Sequence, residues 1–251
     1  MKITINSIIV ILCLAFFALS SSCAHKSGHR NRGRSTAPLS QTNQPQQNQG
    51  SQRHQTPQVS SKKSDKKLEG QEVFDKYATA VFMVFTSDGF NDYQGSGFFI
   101  DGNGLAVSNY HVFKGTGKGM ENIKLLGQEN AYKVTEVIAQ SDEEDFILFR
   151  VNCTNTNYLP IAASKPKIGE KVFAIGSPRG LENTFSSGEV SQWRDENLMQ
   201  ISALIDHGSS GGALINEFGE VVGITSGSFA DGSQANLNYA WSIDAVKPYL
   251  K

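Results

Sequence analysis

The chain has 251 residues, 39% of them hydrophobic and 19% charged, with a formal net charge of -1. That balance excludes a polytopic membrane protein, a collagen-like chain and a wholly disordered one. The average conceals two polymers. Residues 24–68 carry nine Lys/Arg against Asp65 alone, a net of +8, whereas residues 69–251 carry 13 Lys/Arg against 23 Asp/Glu, a net of -10. About 180 residues are left for a folded body, enough for one well-buried core.

Residues 1–23 read as an export signal. Lys2 supplies a small positive start, residues 8–19 form an apolar run, and Ser20, Ser21 and Ser22 precede Cys23. The run is short of the ~20 residues that cross a bilayer, and it suits a signal-peptide core. Cys23 after small residues resembles a bacterial lipobox, with Leu19 four rather than three positions ahead and Ser20 in the usual Leu place. On that reading Cys23 is lipidated and attaches the chain to a membrane. Ordinary cleavage or an uncleaved anchor is the alternative. The expected location is the bacterial cell envelope, lipid-anchored or periplasmic, or else the medium.

Residues 24–68 are rich in Gln, Ser, Asn, Lys and Arg, with almost no large apolar side chain. Such a stretch cannot offset its ordering entropy and reads as a disordered basic linker. Cys13 lies in the signal, Cys23 at its end, and only Cys153 in the body. A body with one cysteine holds no internal disulfide, and Cys153 reads as an ordinary loop thiol.

The body, residues 69–251, opens with a short amphipathic helix over 71–79, where Val73, Phe74 and Tyr77 fall at helical spacing. Twelve short β-rich runs follow: 80–86, 95–100, 105–108, 123–126, 133–139, 146–151, 171–175, 185–193, 199–204, 213–216, 221–226 and 238–242. Turn residues separate them, and Asp101-Gly102-Asn103-Gly104 is a strong hairpin signal. A short helix over 243–250 is expected to close the chain. Many short strands in about 170 residues predict an all-β sandwich or barrel pair, not a βαβ sheet.

Three local patterns carry chemistry, in the order His, Asp, Ser. They are Ser108-Asn109-Tyr110-His111-Val112, then Asp145 directly before an apolar strand, then Gly208-Ser209-Ser210-Gly211-Gly212-Ala213. A serine hydroxyl is a poor nucleophile until an imidazole takes its proton, and the imidazole needs a carboxylate to fix its tautomer. Glycines beside the serine let backbone N–H groups turn toward a developing oxyanion. Each pattern alone has a bland reading as a structural histidine, a turn aspartate or a flexible loop. Their conjunction in one all-β body points to nucleophilic catalysis.

The same residues resemble the trypsin-like serine protease domain of the HtrA/Deg family over residues 70–251. Gly95-Ser96-Gly97-Phe98 stands before the histidine segment, and Asp145-Phe146-Ile147 matches the family's Asp-Leu-Ala. Gly176-Ser177-Pro178-Arg179-Gly180, Gly188-Glu189-Val190-Ser191, Gly219 to Ile224 and Tyr239 to Ile243 match later motifs. The resemblance implies a chymotrypsin/trypsin-like double six-stranded β-barrel with short terminal helices. It implies His111 as general base, Asp145 as its orienting acid, Ser210 as nucleophile, and the N–H groups of Gly208 and Ser210 as the oxyanion hole. The pocket for the residue before the cleaved bond is expected from Leu204, Ile205 and Asp206, and from Ile224, Thr225, Ser226, Ser228 and Phe229. With Leu204 six residues before the nucleophile and no cationic floor, small or medium apolar side chains are expected there. Asp206, turned inward, would favour a basic one.

Asp142 and His207 are rival candidates, the first set off from the strand and the second too near Ser210 in sequence. Ala213 and His207 replace family prolines beside the catalytic turn. The chain stops at Lys251, so no downstream PDZ domain is expected. Polypeptides are the expected substrates, with no cofactor, no metal and no nucleic acid. The family resemblance also implies a homo-oligomer, for which Phe74 and Tyr77 are candidates, although aromatics at helical spacing more often pack in a core. A glutamyl-endopeptidase-like protease and a non-catalytic binding or chaperone module are the alternative readings.

Overall fold

The computed structural model describes residues 66–228 and 237–250. The signal, Cys23, most of the linker and Phe229 lie outside the described residues. Leu68, at the linker's end by composition, packs against the core, and its N–H donates to the Glu217 carbonyl at 2.6 Å.

Helix α1, Gly70–Tyr77, turns its apolar stripe inward and buries Val73 and Tyr77. Phe74 packs edge-on against Phe185, with ring centroids 6.0 Å apart. Both aromatics considered for an oligomer contact therefore serve the core of this chain. After a 3-10 turn, Ala78–Ala80, strand β1 (Val81–Ser87) pairs antiparallel with β2 (Asp92–Phe99). Strand β2 starts three residues earlier than alternation suggests, because Asp92, Tyr93 and Gln94 pair with Ser87, Thr86 and Phe85. The Asp88 carboxylate closes that hairpin. The N–H groups of Asn91 and Phe90 donate to it and hold its pKa at about 2.

Strand β3 (Leu105–Ser108) returns against β2 through the 101–104 turn, where Asp101 Oδ1 accepts from Asn103 and Leu105 N–H, each at 2.8 Å. The one-turn helix α2 (Tyr110–Phe113) follows, then β4 (Asn122–Leu125), the two-residue β5 (Ala131–Tyr132), β6 (Val134–Ser141) and β7 (Phe146–Val151). These strands form one seven-stranded barrel-like sheet in the order β5-β4-β1-β2-β3-β7-β6. Strand β6 is a sheet edge, and two bulges in its pairing with β7 interrupt the regular ladder.

The second half is a closed barrel of six. Strands β8 (Lys171–Gly176), β9 (Thr184–Trp193), β10 (Leu198–Ile201), β11 (Ala213–Asn216), β12 (Val221–Ser228) and β13 (Asn238–Ser242) close in the order β10-β13-β12-β11-β8-β9. Residues 243–250, expected as a helix, form two 3-10 turns, Ile243–Ala245 and Lys247–Tyr249. Pro248 supplies no N–H to an α-helical ladder and breaks the run.

Each half has its own apolar cluster, and a third spans both. Val81, Phe98, Val107, Phe146 and Leu148 from the first half pack with Phe173, Ile175, Ala213, Ile215 and Ile224 from the second. This shared cluster packs the two halves against each other and so sets how they meet. Phe98 is fully buried within it. Phe98→Ala should cost about 3–5 kcal/mol of stability, read as a lower denaturant midpoint. Because the cluster is shared, probes placed in the two halves should move together.

Candidate active site

Asp145 owes its position to an unusual backbone. Its φ is 44°, in the left-handed region, so the chain turns sharply before entering β7. The Asn109 side chain braces the turn, its Nδ2 donating to the Asp145 carbonyl at 2.8 Å. The carboxylate accepts three bonds. The His111 backbone N–H donates to Oδ1 at 2.9 Å, His111 Nδ1 lies 2.8 Å from Oδ2, and Ser226 Oγ donates to Oδ2 at 2.8 Å. An acceptor at Nδ1 puts the ring's proton there and leaves Nε2 with its lone pair. The acid is largely shielded and the imidazole is about half exposed.

The rival acid is set apart. Asp142 is exposed and pairs with Lys114 at 2.9 Å. His207 is also exposed, and its N–H donates to its neighbour Asp206.

The Ser210 turn is stitched to both halves. Ser96 N–H on β2 donates to the Ser210 carbonyl at 2.8 Å, and Ser96 Oγ donates to the Gly208 carbonyl at 2.8 Å. Gly208 sits at φ +93°, and a Cβ there would lie 2.2 Å from Gln94 Oε1. Only glycine fits both the dihedral and the space. The Gly208 and Ser210 N–H groups have no acceptor among the described residues, while Ser209 N–H, between them, donates to Asp206 O at 2.9 Å. Two free donors on one turn are the arrangement that stabilises an oxyanion.

Ser226 and Gly227 link the parts. Ser226 holds Asp145, and a Cβ on Gly227 would lie 3.5 Å from Ser210 Oγ. Among the described residues no hydrogen bond joins Ser210 Oγ to the His111 ring. In free enzymes that contact is commonly long and tightens with substrate.

The expected pocket residues divide. Leu204 and Ile205 line a cavity of about 490 Å³ with Ala174, Phe185, Ser209 and Asn238. Asp206 also borders it, but its carboxylate is 3.0 Å from Arg179 Nη2. The His207 N–H, and then the Arg179 guanidinium, hold that carboxyl below the usual carboxylate range. The hydroxyls of Thr225 and Ser226 have protein partners: Ser209 O for the first and Asp145 for the second. Ser226 is thus a site residue whose role sequence reasoning missed. Gln94 is another, with Nε2 donating to Ser177 O at 2.8 Å and Oε1 accepting from Gly180 N–H at 3.1 Å. Nothing in the local sequence of either marks it.

Cys153 is half-buried, and burial, followed by the Asp101 charge, raises its thiol pKa. A scarce thiolate makes a poor nucleophile. Alkylation by iodoacetamide at pH 8, followed at the Cys153 peptide by mass spectrometry, should run several-fold slower than for a free cysteine.

Comparison with known proteins points to a family. A model described as trypsin-like peptidase domain matches residues 95–224. The sequence is 31% identical over 185 residues to "Serine protease HTRA2, mitochondrial" of Drosophila grimshawi, covering 69% of this chain and 42% of that protein. The Drosophila virilis protein of the same name matches equally. Among solved structures, the serine endoprotease from Yersinia pestis aligns with a TM-score of 0.64 and 25% identity, covering 72% of this chain and 64% of that one. The chain spans less than half the length of these curated relatives.

Proposed function

The chain belongs to the trypsin-like peptidase domain family, and from that premise we propose that it is a serine endopeptidase of HtrA type that cleaves polypeptides through an acyl-enzyme. One observation carries the reading: a carboxylate holds the His111 ring at 2.8 Å, and the serine turn presents two N–H groups that have no acceptor among the described residues. His111 Nε2 takes the Ser210 proton as Oγ bonds to the substrate carbonyl carbon. The carbonyl oxygen becomes an oxyanion, held by Gly208 and Ser210 N–H. His111 then gives its proton to the leaving amine nitrogen, the C–N bond breaks, and an acyl-Ser210 ester remains. Water, deprotonated by His111, releases the carboxylic acid and restores Ser210. The Asp145 carboxylate stabilises the imidazolium.

Ser210→Ala and His111→Ala should abolish peptide hydrolysis with a nearly unchanged thermal unfolding profile, and Asp145→Asn should cost on the order of 10⁴-fold in turnover. Labelling of the parent chain by a fluorophosphonate probe, lost in Ser210→Ala, tests the nucleophile directly. Hydrolysis surviving intact in Ser210→Ala would remove the assignment.

The reading extends to specificity. Leu204 and Ile205 bring no charge, and Asp206 is engaged by Arg179, which favours cleavage after small or medium apolar residues. Discrimination in such a pocket is worth only about 1–3 kcal/mol per methylene. A mixed peptide library should return Val, Ala, Ile and Leu before the cut; dominance of Lys/Arg would implicate Asp206, and dominance of Glu would contradict the pocket. The apolar run at residues 8–19 and the small residues before Cys23 support a signal, a lipidated Cys23 and a cell-envelope location. The protein should then partition into detergent and Cys23→Ala should release it, whereas a lipid-free soluble product starting at Ala24 or later would favour simple secretion.

A further inference from the structure

The direction of an amide N–H is set by what its own peptide's carbonyl binds, because the peptide unit is planar and trans. For Ser210 N–H the carbonyl in question is that of Ser209. It accepts from Gly212 N–H at 2.9 Å, closing the turn, and from Thr225 Oγ1 at 2.7 Å. Both donors lie on the side away from the free N–H. We propose that Thr225 is a positioning residue that aims the Ser210 N–H at the oxyanion site; the assignment rests on the protease reading above.

Three observations carry it. Thr225 is 1% exposed, so its hydroxyl cannot exchange Ser209 O for bulk water. Its own backbone is fixed to the same turn, Gly211 N–H donating to Thr225 O at 2.7 Å and Thr225 N–H to Gly212 O at 2.9 Å. Finally, a Cβ on Gly212 would lie 2.9 Å from Ser209 O and 3.0 Å from Thr225 Oγ1. The glycine after Gly211 leaves the space in which this hydroxyl–carbonyl bond sits. A side chain built to line a substrate pocket would not be buried under the nucleophile turn with its only polar atom bonded to that turn.

Removing the hydroxyl leaves Ser209 O with one donor and frees the peptide to rock. Loss of an entire oxyanion donor costs about 10²–10³-fold in kcat, so mis-aiming one should cost on the order of 10–100-fold. The test compares Thr225→Val, which keeps the shape and loses the hydroxyl, with Thr225→Ser, which keeps the hydroxyl. The expected result is a fall in kcat for Val with KM within about twofold, and near-parental kcat for Ser. In the free protein, the NMR signals of the Ser209 carbonyl carbon and Ser210 amide should shift in Val and hold in Ser. Thr225→Ala gives the same comparison where Val does not fold. Unchanged kcat in Val, a rise in KM alone, or equal losses in Val and Ser would overturn the proposal. A parent chain that hydrolyses nothing would defeat the protease reading, while the NMR comparison still decides the role of Thr225. Unmoved signals in Val would end it.

Discussion

Ser96 is where the two halves of the molecule become one site. It lies fully buried on β2, in the first half, and all of its polar groups are used. Its N–H and Oγ donate to the carbonyls of Ser210 and Gly208, its Oγ accepts from Ser177 N–H, and its carbonyl accepts from Ser108 Oγ. The turn that carries the serine belongs to the second half, and the histidine and aspartate belong to the first. Apolar packing across the seam holds the halves together but is non-directional. The bonds at Ser96 supply the direction. A buried donor or acceptor left unpaired there costs about 1–3 kcal/mol, so the turn has one favourable seat against β2.

From that seat the remaining contacts follow. Gln94, two residues back on the same strand, reaches the Ser177 and Gly180 backbone. Ser226, on β12, crosses the other way to the Asp145 carboxylate. The acid therefore receives donors from both halves, which fixes the imidazole plane and ties Ser226-Gly227 alongside Ser210. Electrostatics at the rim contribute less. The Arg179–Asp206 pair is exposed on both sides, and such pairs contribute little to stability. Its consequence is to occupy the one acid among the described residues that borders the cavity at Leu204 and Ile205.

Much of this was readable before any fold was known. The periods of alternation and the Gly/Asn/Asp turns located β3, β7, β11 and β13 to the residue, since their ends coincide with turn chemistry. Strand β5 was not legible, because two residues carry no period, and the early start of β2 was hidden by polar residues that pair only because β1 lies beside them. The terminal segment differs from its expected helix: Pro248 limits residues 243–250 to 3-10 turns.

What the sequence by itself determined was the set of candidate groups: His111, Asp145, Ser210 and the glycines around the serine stand in motifs whose spacing is local. Partners far apart in the chain were decided by tertiary structure alone. Ser226 meets an acid 81 residues away, and Thr225 turns under Ser209 instead of into a pocket. Both are small hydroxyl residues on one strand, indistinguishable by composition. Alternation sends neighbouring side chains to opposite faces of a strand, and only the packed barrel decides what waits on each face.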